Sequence, residues 1–345
     1  MTSTNKRVVL VIGMHRSGTS ALTRGLKSLG ISLGENLMAP AKGINDKGFF
    51  EDNDICNLNE RILTMLNRRW YSIRSVSKKE MDLLIDSEFF HMAINAVKEK
   101  TDKINLFGLK DPRIARLLPF WISAFQEAGV KVDSVLVVRN PLSVAESLKK
   151  RDGFLPQRSH FLWLGHVLDS LVYERTTKTL RAVVDYDFVV NSPKLAFIGL
   201  AKILSIDFNE RDLDVYCSDF LDAKLRHSNY DIDDLFRDKK CPQVVKEIYK
   251  KLNFLASEKM IFNSSEFENC SSVWENEWDN YNYLIRLIDD EFSLTLSERD
   301  NALSERDNAL LKVELLNSQI SSIYSSRSWK ITSPMRYLAS AMRRL

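Results

Sequence analysis

The chain has 345 residues, enough for one large domain and an appendage. An apolar fraction of 44% supports a sizeable core, and 49 basic against 46 acidic side chains leave a net charge of only +3. That balance argues against general nucleic-acid binding, while a local basic site for a small anion needs no large global charge.

Cys56, Cys217, Cys241 and Cys270 lie far apart and form no CxxC pair, which points to reduced thiols in a cytoplasmic protein rather than a zinc site or a disulfide framework. The chain enters its first strand within a few residues, so no signal peptide is expected. No apolar stretch nears the roughly 20 residues that a membrane span needs.

Arg7–Ile12 is a short continuous apolar run, the pattern of a buried parallel strand. Leu22, Leu26 and Leu29 then recur at helical spacing, with Gly30 placed to end the helix. Between them lies Gly13-Met-His-Arg-Ser-Gly-Thr-Ser20. A Gly-rich loop between strand and helix turns backbone N–H groups toward one point, and the helix N-terminus adds partial positive charge. A phosphate or sulfate fits there. Gly13 and Gly18 have Walker A spacing and Ser20 stands at its Ser/Thr, but Thr19 replaces the Walker lysine and the positive charge has moved to Arg16.

Ile31 to Asp46 is rich in Gly, Pro and Asn and reads as irregular. It leads to Lys47-Gly-Phe-Phe-Glu-Asp52, after which Leu58, Ile62, Leu63 and Leu66 mark a helix. Residues 80 to 100 read as one amphipathic helix. Ile104–Leu109 is a second strand, followed at once by Lys110-Asp-Pro-Arg113, where charged residues at a strand end fall where ligands bind in α/β sheets. Asp133–Val138 is a third strand, ending in Arg139-Asn-Pro, with Ser147 two turns into the next helix. A helix over 160–180, a fourth strand over Arg181–Asp187 and a helix over Leu195–Leu204 follow. Residues 230 to 290 read as mostly helical, with Trp274 and Trp278 as packing residues.

Ser297–Leu303 is repeated without change as Ser304–Leu310, a period of seven. The repeat predicts a long polar helix over about 291–322, acting either as a solvated spacer or in self-association. The end, from Ser325 through Trp329 to Arg336, adds Tyr337, Leu338, Met342, Arg343 and Arg344. An aromatic and basic end of this kind either rests on an anionic membrane surface or folds back on its own domain.

Arg16-Ser-Gly-Thr-Ser20 resembles the 5′-phosphosulfate loop of sulfotransferases that use 3′-phosphoadenosine 5′-phosphosulfate (PAPS). Arg139 and Ser147 resemble that family's 3′-phosphate element, and Lys47–Asp52 and Gly108–Arg113 look like segments of its bacterial members. The resemblance covers residues 7 to about 230. It implies a P-loop-like α/β fold with a mainly parallel sheet flanked by helices, over residues 1–290, with helical extensions at 291–322 and 323–345.

The resemblance further implies a sulfuryl transfer from PAPS to a hydroxyl, releasing 3′-phosphoadenosine 5′-phosphate (PAP), with no metal. Arg16, Ser17, Gly18, Thr19 and Ser20 would hold the 5′ end, and Arg139 and Ser147 the 3′-phosphate. Arg226, with His227, would stand in for the missing Arg-Lys-Gly loop of the cytosolic enzymes. Arg16 and Lys110 would stabilise charge. Glu51 is the expected base, with Asp111 and His15 as rivals, since the catalytic histidine of the cytosolic enzymes has no counterpart here.

The tail is similar to the end of bacterial polysaccharide-biosynthesis proteins. This implies a surface-glycan acceptor at the cytoplasmic membrane face, and contact with membrane or glycosyltransferases. A P-loop kinase and a non-catalytic assembly factor are the alternatives.

Overall fold

The computed structural model describes residues 6–41, 45, 47–219, 230–258, 260–261 and 265–343. It divides into two compact units, Met1–Arg286 and Leu287–Leu345.

The first unit is built on four parallel strands: β1 (Arg7–Ile12), β2 (Leu106–Lys110), β3 (Lys131–Val138) and β4 (Leu180–Asp185), in the order β2-β1-β3-β4. Arg7 pairs with Leu106 on one side and Lys131 on the other, so all C-terminal strand ends lie at one edge. Parallel strands covered on both faces must be apolar throughout, and Val8–Val11 are fully buried. On one face Val9, Val11, Val135, Val137, Ala182 and Val184 pack with helices α1 (Thr19–Leu26) and α9 (Pro193–Leu204). Beneath the sheet, Asp133 joins Arg7 and Arg181 across three strands.

The remaining helices of this unit in chain order are α2 (Asn53–Met65), α3 (Lys78–Ile85), α4 (Glu88–Thr101), α5 (Leu118–Glu127), α6 (Pro141–Asp152), α7 (Pro156–Thr177), α8 (Tyr186–Asn191), α10 (Glu210–Asp219), α11 (Ile232–Arg237) and α12 (Gln243–Glu258). α13 (Ser265–Ser325) continues into the second unit, which also holds α14 (Arg327–Ile331) and α15 (Ser333–Met342). The polar helix expected from about 291 to 322 is thus part of a helix beginning at Ser265. Among the described residues no helix is long and apolar enough to cross a membrane.

Two local readings change. The helix expected over 80–100 is two helices, because Ser87 accepts a hydrogen bond from Phe89 N and starts α4 anew. The expected fourth strand stops at Asp185, whose carboxylate accepts from Asp187 N and Phe188 N, so that Tyr186 and Asp187 begin α8 instead.

Candidate active site

The loop after β1 is shaped by its glycines. Gly13 has φ +145°, and a Cβ there would stand 2.5 Å from the Val137 carbonyl oxygen. Gly18 has φ +90°, and a Cβ there would overlap the Tyr186 ring. Glycine alone suits both places. Arg16 between them adopts φ +69°, a costly conformation for a side-chain-bearing residue. Gly18 caps α1 without a side-chain acceptor, and the first turn carries no acid. The helix therefore begins with donor N–H groups and partial positive charge at the loop, which suits an anion. The Ser17 hydroxyl is fully buried and has no hydrogen-bond partner.

Two arginines and a serine join this loop to the end of β3. Arg16 Nε donates to Ser147 Oγ at 2.8 Å. Arg139 Nη1 donates to the Arg16 carbonyl at 3.3 Å, and its guanidinium lies 4.5 Å from the centre of the Tyr186 ring. Arg139 is buried, its Nε has no partner, and among the described residues no carboxylate pairs with it. Burial, followed by the charges of Arg151 and Arg139, lowers the pKa of Arg16. A buried guanidinium with donors to spare and a second one beside it is a site that an anion would stabilise. Asn140 fixes the turn after Arg139: its Oδ1 caps α6 at Leu142 N, and its amide holds the carbonyls of Tyr230 and Asp231.

Glu51 reaches the same place from the other side. Ser20 Oγ donates to the Phe49 carbonyl and accepts from Asn45, which pins both residues to α1. Phe50 then turns with φ +55° and Glu51 points inward, 4% exposed. Glu51 Oε1 accepts from Lys110 Nζ at 2.7 Å, and Oε2 lies 3.5 Å from Arg113 Nη1. Asp111 has a different job. Its Oδ1 accepts from the backbone and side chain of Arg113, its Oδ2 from Asn59, and Asn59 in turn accepts from Trp121. Both oxygens are engaged, and the bonds to Arg113 fix that guanidinium beside Glu51. Arg113 also donates to Glu60 at 2.5 Å.

Arg16, Thr19, Ser20, Glu51 and Lys110 line one cavity of about 350 Å³, with His15, Arg113, Trp70, Arg151 and Asp152 among the other walls. His15 packs 4.6 Å from the Trp70 ring. Burial, then the charges of Arg113 and Arg151, push its pKa well below the usual imidazole value, so the ring is neutral at neutral pH. Arg151 lies over Trp70 at 4.8 Å and pairs with Asp152 at 2.8 Å.

The sequence thus pointed at residues that the fold brings together, save that Arg226 and His227 lie outside the described residues. It missed Trp70, Arg151 and Asp152. For Arg151 a signal existed: it stands four residues after Ser147, on the same face of α6. For Trp70 there was none, since it lies between α2 and α3 in a stretch without periodicity. Among the described residues no His/Cys/Asp/Glu group could hold a metal ion.

No family model and no curated protein matches the chain. Among solved structures it is similar to the sulfotransferase domain of the Synechococcus PCC 7002 olefin synthase, at 17% identity and a TM-score of 0.41, covering 71% of this chain and 95% of that one. It is also similar to the sulfotransferase domain from the curacin biosynthetic pathway, at 14% identity and a TM-score of 0.37, covering 73% of this chain and 97% of that one.

Proposed function

We propose that the chain is a sulfotransferase that moves a sulfuryl group from PAPS to a sugar hydroxyl. The observation that carries this reading is the buried Arg139, with an unpartnered Nε, held beside the Arg16–Ser147 pair at a glycine loop and an open helix N-terminus. A nucleotide with phosphate groups at both ends of its ribose would use both halves of that arrangement. Thr19 in place of the Walker lysine, with the loop's cation at Arg16, favours sulfuryl over nucleoside-triphosphate chemistry.

When bound, PAPS supplies an electrophilic sulfur and PAP as leaving group. The residues from Arg16 to Ser20 would hold the 5′ end, and Arg139 with Ser147 the 3′-phosphate. Lys110, fixed by Glu51, would place a cation where negative charge grows on the leaving oxygen, and Arg16 would share that load. Glu51 lies in the cavity wall and would take the acceptor proton, handing Lys110 over to the growing charge as it does so. Positioning does the rest.

The acceptor side of the cavity combines the Trp70 ring with Arg151, Asp152 and Asn45. An aromatic surface beside hydrogen-bonding side chains suits a sugar ring. The tail's similarity to polysaccharide-biosynthesis proteins supports a surface glycan as acceptor. Incubation with radiolabelled PAPS and a panel of bacterial surface polysaccharides and lipid-linked oligosaccharides tests this. Label on a glycan, lost in Glu51→Gln, is the expected result. PAP binding without transfer to any glycan would remove the acceptor assignment.

A further inference from the structure

The second unit carries an apolar stripe along the last third of α13. Leu303, Leu310, Val313 and Ile320 are 40%, 55%, 52% and 46% exposed. Their spacings of seven, three and seven are those of a and d positions in a heptad, with a at Leu303 and Leu310 and d at Val313 and Ile320. Leu316 and Ile323 flank the stripe and are exposed too. The exact repeat Ser297–Leu303 and Ser304–Leu310 only begins this pattern. The apolar content rises beyond it, where the sequence no longer repeats.

We propose that this stripe pairs with the same stripe of a second copy of this chain, as a parallel two-stranded coiled coil from Leu303 to Tyr324. Two features favour a second copy, aligned in parallel. Asn317 falls at an a position. In a parallel pair it meets Asn317 of the second copy, and the two amides satisfy each other, a device that fixes register and a two-stranded state. In an antiparallel pair a positions face d positions, so Asn317 would meet Arg306 or Val313 of the second copy rather than a matching amide.

Arg306 falls at a d position and Asp307 at the adjoining e position. Within one copy they pair at 2.7 Å on an exposed surface. In a parallel coiled coil the d side chain packs beside the partner's e side chain, so Arg306 of each copy meets Asp307 of the other. The segment 303–324 holds Glu305, Asp307 and Glu314 against Arg306 and Lys312, so it is slightly acidic and unsuited to an anionic lipid surface.

The test is the mass of the full chain by light scattering, in wild type and in Leu310→Glu/Ile320→Glu. Both positions are exposed in the single chain, so its fold does not depend on them. Wild type should give twice the chain mass of 39.8 kDa, and the double variant the chain mass alone with an unchanged thermal melt. Under mild oxidation Asn317→Cys should cross-link to a dimer, and Gln319→Cys, off the seam, should not. A wild-type monomer at micromolar concentration overturns the proposal, whether or not it binds anionic vesicles. So does a dimer untouched by the double substitution, or equal cross-linking at both cysteines. None of these results bears on the transfer chemistry, which is read separately.

Discussion

Arg16 Nε donates to Ser147 Oγ at 2.8 Å, tying the loop after β1 to the second turn of α6 across 131 residues of sequence. The two residues belong to the elements assigned to opposite ends of the nucleotide. Their bond makes the two proposed anion sites neighbours. It also gives Arg16, in its strained φ +69° conformation, a fixed direction.

Removal of that hydroxyl should be felt in nucleotide affinity more than in stability. Ser147→Ala loses one charge-assisted hydrogen bond within the protein and the one proposed to the 3′-phosphate. PAP affinity should fall roughly tenfold by calorimetry, with a melting temperature near wild type. An unchanged affinity would detach Ser147 from the nucleotide site.

Glu51→Gln keeps the size of the side chain and its bond to Lys110 through the amide oxygen, but cannot take a proton. Turnover should fall about 100-fold or more, while PAP affinity stays within a few-fold. Glu51→Ala is a poorer test. It leaves Lys110 buried without a counter-ion, at a cost of roughly 3 to 5 kcal/mol in stability. If Glu51→Gln retained its turnover, the proton would go elsewhere, and the neutral His15 in the same cavity would be the next residue to replace.

Two glycines of similar backbone conformation should respond differently to alanine. Gly129 has φ +72°, and a methyl placed on it would meet nothing within 4 Å, so Gly129→Ala should cost only about 1 kcal/mol of backbone strain. Gly18 has φ +90° and the Tyr186 ring in the way, so Gly18→Ala should cost roughly 3 kcal/mol and displace Tyr186 from beneath Arg139. Denaturant melts compare the two, and PAP affinity should fall only in the second.

Asp185 gives stability a pH dependence. Burial first, and then the charge of Asp187, raises its pKa from 3.8 to about 6. The folded state therefore holds this proton more tightly than the unfolded chain. The stability so gained is full below pH 3.8 and is lost as pH rises through about 6. Asp185→Asn keeps an oxygen to cap α8 and has no charge to bury. Its stability relative to wild type should rise by about 2 kcal/mol between about pH 4.5 and pH 7 in denaturant titrations. A difference that does not vary with pH would show that Asp185 ionises freely.

The strands were legible because a parallel strand buried on both faces has to be a run such as Val8–Ile12, and β1 has the limits that the run predicts. The turn between β1 and α1 was legible because its two glycines sit where no Cβ fits. What escaped were decisions taken by single side chains. Asp185 turns a strand into a helix by accepting two N–H groups, inside a Val-Asp-Tyr-Asp stretch that carries no outward mark of a cap. Ser87 divides one expected helix in two in the same way. Asp111 is held by Asn59, 52 residues earlier, a partnership that no spacing in the sequence marks. Trp70 reaches the cavity through tertiary packing alone.

The most direct test of the account is calorimetric titration of wild type and Arg139→Ala with PAP, with ATP and ADP as competitors. Tight PAP binding that neither competitor displaces at equal concentration is expected, with a loss of about 100-fold or more in the variant, since a buried arginine would give up a bidentate phosphate contact. No PAP binding, preference for ATP, or an Arg139→Ala protein that binds PAP like wild type would contradict it.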